Sequence, residues 1–334
     1  MPVLPCNKAA LLLLNTPRNR GNFVYKKSSI STKKAQQRQT HKRNPLKFVR
    51  GKKLLKDLST WGIGGPCNYF IQVFDQTQLV SAISYCHEHS IRFIIIGKGS
   101  NCLFDDLGFD GCIILNRVEF LERKEPGLYK VGSGFRFNRL GVQCSNEGFA
   151  GLEFAGGETA DAVDSVDIIT IDGMLRRLHR ADLNFGYRSS PFQDMEDLAA
   201  IVAATFRLQR SGASKTRLQE YLDRRRATQP IGERSAGSVF RNPSELGVSA
   251  AKLIEKAGLK GFRVGGAMVS ELHGNFFINY GGSTSQDMLD LIAHVKDTVY
   301  HKFYVQLKEE VLYIPCSVRH LPRKICVLQN KCNC

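Results

Sequence analysis

Ile91-Arg-Phe-Ile-Ile-Ile-Gly-Lys-Gly-Ser-Asn101 is a short apolar run that empties into a two-glycine turn. A run of this length between turn signals reads as a buried strand, because a helix needs more residues to bury a face. The turn Gly97-Lys-Gly-Ser-Asn101 can gather successive backbone N–H groups into an anion nest, with Ser100 and Asn101 adding side-chain donors. It lacks the third glycine and following helix of a dinucleotide fingerprint, and an ordinary tight turn is the simpler reading. Just upstream, Gln76 to Ser90 places Leu79, Ala82, Ile83 and Cys86 at helical spacing. Just downstream, Cys112-Ile-Ile-Leu115 follows Gly111 as a second apolar strand. Helix and strands make a small α/β unit.

From Val118 to Gln209 the pattern turns to strands. Asp164–Ile171, then Asp172-Gly173, then Met174–His179 predicts a hairpin, since Asp-Gly suits the turn that joins two twisted strands. Leu198–Leu208 is a further β-rich stretch, and the small polar run Arg210–Lys215 marks a domain boundary. Beyond it Ser249 can cap a helix carrying Leu253 and Ile254 and closed by Gly258. Phe276–Asn279 reads as a strand, Ser285–Phe303 as an amphipathic helix, and Val305–Ile314 as a returning strand.

Three stretches carry chemistry. Ala236-Gly-Ser-Val-Phe-Arg-Asn-Pro243 sets Ser238 behind a glycine and Asn242 before a backbone-fixing proline. Phe185-Gly-Tyr-Arg188 follows the hairpin, and a guanidinium suits a developing oxyanion because it is planar and always charged. Leu307-Lys-Glu-Glu-Val311 puts Glu309 and Glu310 side by side on an expected strand, so one faces a cleft and the other solvent. Taken singly, a Gly-Ser pair is most often a turn and a lone Arg a solvated charge. Arg225, within Arg224–Pro230, suits nucleotide phosphates or an exposed helix face equally. His273 reads as a hydrogen-bonded structural histidine.

The net charge of +16 sits in the tails. Residues 1–50 hold twelve Lys or Arg and no acid, and residues 316–334 add four more, which leaves the interior balanced. A nucleic-acid partner needs basic residues clustered on a folded surface, so this distribution argues against one. The first fifty residues, rich in Arg, Lys, Ser, Thr and Gln, have the composition of an organelle transit peptide, expected to be disordered. No apolar run approaches a membrane span. Among ten cysteines, Cys67, Cys86, Cys102, Cys112 and Cys144 are scattered in apolar segments as buried reduced thiols would be. Cys316, Cys326, Cys332 and Cys334 cluster in the tail, where Cys332-Asn-Cys334 is too tight for an ordinary zinc pair, so no metal is expected.

In their order and separations these motifs resemble the UDP-N-acetylenolpyruvoylglucosamine reductase family, from about Leu54 to Pro315. Thr60-Trp-Gly-Ile-Gly-Gly-Pro66 matches its opening motif and Val131-Gly-Ser-Gly134 a glycine turn against the cofactor. The resemblance implies an α+β fold: a two-part FAD-binding region of the vanillyl-alcohol-oxidase/PCMH type (51–116 and 117–213), then a C-terminal α/β substrate-binding domain (214–314) and an atypical tail (315–334). It implies FAD as cofactor, NADPH as co-substrate, and a UDP-sugar substrate whose enolpyruvyl group is reduced. Ser238 would be the proton donor, with Arg188 and Glu310 stabilising the intermediate. Gly97, Gly99, Ser100, Asn101, Gly132 and Gly134 would hold the flavin, and Asn242, Tyr187 and Arg225 the substrate. A plastid is the expected destination, a mitochondrion the alternative. One departure stands out. After Gly151-Leu-Glu-Phe-Ala155 the family continues with Pro-Gly-x-x-Gly-Gly-Ala and Met-Asn-x-Gly, whereas this chain passes straight to Gly156-Gly-Glu-Thr-Ala-Asp-Ala162. Losing a wall of the flavin site implies weak cofactor binding. A flavin-deficient sugar-nucleotide-binding scaffold is therefore one alternative function, and another flavin oxidase of the same fold a second.

Overall fold

The computed structural model describes residues 46–152, 159–186, 189–243 and 246–317. The first unit runs β1 (Val49–Arg50), β2 (Cys67–Val73), α1 (Gln76–Glu88), β3 (Phe93–Ile96), β4 (Cys102–Phe104) and β5 (Phe109–Asn116). Its sheet has the order β1-β2-β5-β3, with β2 and β3 parallel to β5. Parallel strands must be buried on both faces. Leu79, Ile83 and Cys86 of α1 cover one face, while Leu55, Phe104 and Ile314 cover the other. Asp75 caps α1 by accepting from the Gln78 N–H at 2.8 Å.

The second unit contains β6 (Leu121–Glu125), β7 (Leu128–Gly132), α2 (Phe137–Asn146), β8 (Phe149–Ala150), β9 (Val163–Thr170), β10 (Leu175–His179), β11 (Leu198–Arg207) and β12 (Gln209–Arg210). Five strands pair in the order β10-β9-β11-β7-β6, and β9–β10 is the hairpin expected around Asp172-Gly173, with Gly173 at φ +82°. Ile169, Ala199 and Val202 of this sheet pack on α1 and β5, which joins the first two units through one core.

The third unit contains α3 (Ser214–Thr228), β13 (Ser235–Ser238), α4 (Ala250–Lys256), β14 (Arg263–Val264), β15 (Ala267–Val269), β16 (Phe276–Asn279), α5 (Ser285–Phe303) and β17 (Leu312–Ile314). The sheet order is β13-β16-β15-β14, and Met288, Leu291, Val295 and Val299 of α5 fill its core. Ser249 caps α4 and Thr284 caps α5. Trp61 and Ile63 of the first unit are buried in that same core.

Several expectations need correction. The folded chain starts before residue 50, because β1 pairs with β2 and Phe48 packs against Tyr85 at 4.6 Å. Helix α2 interrupts the stretch read as strands, burying Leu140 and Cys144 one helical turn apart. Helix α3 opens the segment read as substrate domain but rests on α2, where Ser145 and Ser214 each donate to the other's carbonyl at 3.1 and 3.2 Å. The returning strand is only Leu312–Ile314, parallel to β4 in the first unit. Residues before it lie across the Ser238 segment instead, through a single Phe240–Glu309 bridge. Cys316 is not part of a detached tail: its N–H reaches the Asp105 carboxylate at 3.3 Å, and its carbonyl takes Arg92 at 3.0 Å. The other tail cysteines and residues 1–45 lie outside the described residues.

Candidate active site

Ser238 ends β13, an edge strand whose pairing with β16 slips by a bulge between Ser235 and Ser238. A bulge bends a strand and re-aims its side chains. Gly237 supplies the φ of +77° that this bend needs. The next residues are clamped by Asn275, which is 3 % exposed. Its carbonyl accepts from Val239 N–H at 2.9 Å; its side-chain oxygen accepts from Phe240 N–H at 2.9 Å, and its amide donates to Phe240 O at 2.8 Å. One buried amide thus imitates a missing strand. His273 Nδ1 accepts the Asn275 N–H at 3.2 Å and its burial lowers its pKa, so the ring is held neutral as an acceptor. This is the structural role expected of His273. The Ser238 hydroxyl is half-buried and makes no hydrogen bond among the described residues.

Glu310 arrives from the far end of the chain. Its N–H donates to Val239 O at 2.7 Å, which sets it one residue from Ser238. Its residue is 8 % exposed, while neighbouring Glu309 turns away to Lys296 at 2.6 Å. The segment is not a strand, and Glu309 does not face solvent as expected: its side chain is only 15 % exposed against Lys296. Asn101 Nδ2 donates to Glu310 O at 3.1 Å, and Leu312 N–H donates to Asn101 O at 3.0 Å. The structure therefore joins the Gly97–Asn101 turn, Glu310 and Ser238 in one cluster. Asn242 borders it, but its side-chain oxygen is occupied by Ala250 N–H at 3.0 Å, at the start of α4.

The two glycine turns differ in what they offer. Gly99 sits at φ +59°, and a Cβ there would overlap the Leu58 carbonyl oxygen. No acceptor among the described residues takes the N–H groups of Lys98, Gly99 or Ser100, so this turn keeps donors for an anion. Gly132, Ser133 and Gly134 instead donate to Phe120, Val202 and Val118 carbonyls at 3.0, 2.8 and 3.0 Å. A Cβ on Gly132 or Gly134 would run into the Val118 backbone. Those two glycines thus have a packing reason of their own, and their N–H groups are already taken, so what they can offer a cofactor is backbone surface. Buried Asn116 braces the Gly132–Gly134 turn by donating to Ser133 Oγ at 2.8 Å, and nothing in its local sequence signals this. Lys98 is held below the usual lysine range by burial and by Arg117 and Arg136 nearby, with Glu119 partly offsetting them. Three cations around an uncommitted turn suit a diphosphate.

Against known proteins, a family model for the UDP-N-acetylenolpyruvoylglucosamine reductase C-terminal domain matches residues 229–314. A reductase of that name from Protochlamydia amoebophila is 44 % identical over 283 residues, spanning 79 % of this chain and 93 % of the relative. One from Chlamydia abortus is 41 % identical, over 80 % of this chain and 95 % of the relative. The crystal structure of the Thermus caldophilus enzyme superposes with a TM-score of 0.65 at 31 % identity, covering 81 % of this chain and 99 % of that one. The chain belongs to the UDP-N-acetylenolpyruvoylglucosamine reductase family. It shares the fold of these oxidoreductases, and the α+β class with a separate C-terminal domain holds.

Tyr187 and Arg188 of this reductase-family chain lie outside the described residues, as does the junction at 153–158. The 283 aligned positions exceed 79 % of 334 residues, so the alignment carries gaps on this chain's side. The Arg225 side chain, in the last turn of α3, makes no hydrogen bond or ion pair with a described residue, while its carbonyl accepts the Gln229 N–H at 3.0 Å. The flavin fit is consequently one-sided. Gly97–Ser100 with Lys98, Arg117 and Arg136 suits its diphosphate, and Gly132–Gly134 supplies backbone surface only. Sequence reasoning missed Asn116, Asn275 and the neighbours of Lys98. Only Asn275 had a visible signal, as the polar residue opening an apolar strand.

Proposed function

We propose that this protein reduces UDP-N-acetylglucosamine enolpyruvate to UDP-N-acetylmuramate with FAD and NADPH, a step of peptidoglycan precursor synthesis, in a plastid-like organelle. The observation that carries the reading is the convergence of Ser238, Glu310 and the Gly97–Asn101 turn through Val239 and Asn101. Curated relatives bearing the reductase name support it. When bound, the flavin supplies the hydride for the enol ether carbon.

The chain's own residues handle the charge that follows. Hydride at one carbon of an enol ether leaves negative charge on its neighbour, which needs a proton. The Ser238 hydroxyl, half-buried and uncommitted among the described residues, donates that proton where charge develops beside it. Arg188 and Glu310 hold the enol-like group, and Lys98 with the Gly99 and Ser100 N–H groups holds the cofactor diphosphate. Asn242, Tyr187 and Arg225 are the substrate contacts in this reading. Leader residues within 1–45 direct the chain to the organelle, so a reporter fused to them should leave the cytosol, and a cytosolic reporter sinks that part.

The chemical test uses a flavin-loaded form. Ser238→Ala should leave NADPH-driven flavin bleaching intact and suppress enolpyruvyl reduction by about 10²–10⁴-fold, the usual contribution of a positioned acid. Equal loss of both half-reactions would assign Ser238 a structural role.

A further inference from the structure

A second polar site opens beside the cluster. A cleft of about 280 Å³ is lined by Lys56, Asp57, Ser59, Thr60, Gly62 and Arg234. Its charges do not cancel. Asp57 is paired with Lys53 at 3.1 Å, whereas Lys56 and Arg234 have no carboxylate partner among the described residues. Ser59 and Thr60 add hydroxyl donors to the same walls.

The cleft is braced from behind. Asn279, 9 % exposed, donates its N–H to Arg234 O at 2.9 Å and its side-chain amide to Trp61 O at 2.9 Å, so one buried residue sets the separation of both walls. Its own side-chain oxygen accepts from Ser283 at 3.2 Å, which fixes the amide. Gly62 stands at φ +68° with the Arg234 stem across it, and a Cβ there would press on Arg234 Cδ at 3.4 Å. Thr60 N–H donates to Gly99 O at 3.2 Å, joining the cleft to the uncommitted turn.

We propose that this cleft holds a phosphate ester of the nucleotide the enzyme takes. Two cations of different reach and two hydroxyls, all donors, match an acceptor-only phosphate. Arg234 lies four residues before Ser238, at most about 13 Å of extended chain. A nucleotide anchored there keeps its other end within reach of the reacting centre. The two sources of such a group are the 2′-phosphate of the reductant and the diphosphate of the sugar nucleotide. That the phosphate belongs to one of these two nucleotides rests on the function proposed above.

Calorimetric titration of the purified full chain decides it, and needs neither flavin nor turnover. The probes are 2′-AMP and UDP, each against its nucleoside, adenosine and uridine. At least one phosphate should bind tenfold or more tightly than its nucleoside. Arg234→Gln and Lys56→Gln should each weaken that phosphate at least fivefold, Arg234→Lys less, and Arg217→Gln, an exposed α3 residue that does not line the cleft, not at all. Tight 2′-AMP assigns the reductant's phosphate, and tight UDP assigns the sugar nucleotide's. Phosphate and nucleoside binding alike, or variants that leave the affinities unchanged, overturn the proposal. Loss of enolpyruvyl reduction with these affinities intact would instead count against the function and leave the phosphate site standing. Circular dichroism of the two glutamine variants should match the parent chain, since both side chains are exposed.

Discussion

Asn275 is the residue on which the Ser238 segment hangs. Phe240 is 1 % exposed, so both of its backbone groups depend on that one side chain. Asn275→Leu keeps the volume but leaves two buried groups unpaired, at about 1–3 kcal/mol each. Urea unfolding should show that loss as a lower midpoint with an unchanged slope. A loss below about 1 kcal/mol would mean that the segment finds other partners. Gly99 is as exacting for a different reason. Gly99→Ala meets both a left-handed backbone and the Leu58 carbonyl, and should destabilise by about 1–3 kcal/mol, the usual cost of a strained backbone position. In a flavin-loaded form it should also release flavin sooner, measured by ultrafiltration.

At the scale of elements, the bond between His273 and Asn275 makes the turn before β16 sensitive to acid. The folded pKa lies below the ordinary 6.5 because burial disfavours the charged ring. The unfolded chain therefore takes up the proton first. The stabilisation is complete above about pH 6.5 and drains away as pH falls toward the lower folded value. Protonation also removes the Nδ1 acceptor from Asn275 N–H. Thermal unfolding followed from pH 7.5 to 5.5 should show part of the acid-dependent loss missing in His273→Gln, which does not titrate. Identical pH slopes in both proteins would place the sensitivity elsewhere.

Across the whole molecule, the units are held by contacts that reach from one to another. Trp61, the chain's one tryptophan, is fully buried in the third unit's core, and its indole donates to Phe277 O at 2.8 Å. Asp106 caps α5 by accepting from Ser285 N–H and Oγ at 2.6 and 2.8 Å. Tryptophan fluorescence and far-ultraviolet dichroism should consequently report one coincident unfolding transition. An early fluorescence change would show the third unit parting first. Flavin content is also a property of the whole. The resemblance implies a further glycine-rich stretch after the residue matching Ala155, and without it several charge-assisted bonds to the flavin, at about 1.5–3 kcal/mol each, would be lost. The chain as written should purify with far less than one flavin per molecule. Inserting that stretch, from Pro-Gly-x-x-Gly-Gly-Ala through Met-Asn-x-Gly, should restore visible flavin absorbance. A fully yellow protein without the insertion would show the stretch to be dispensable.

What the sequence determined by itself is local. The span of α5, from Ser285 to Phe303, was legible because its period and its Thr284–Asp287 cap act within a few residues. The β9–β10 hairpin was legible because Asp172-Gly173 dictates the turn. The Ser238 motif and the Gly97–Asn101 turn were legible as composition, and the family followed from their order. Only the tertiary structure decided which of them meet. Asn101 and Glu310 are 209 residues apart and carry no shared period. Tertiary contact likewise turned residues before Leu312 away from a sheet, docked Trp61 in a distant core, and used up the N–H groups of Gly132 and Gly134. A glycine turn looks the same in sequence whether its donors face a ligand or a neighbouring strand. Backbone hydrogen bonds must be satisfied somewhere, and only packing determines where.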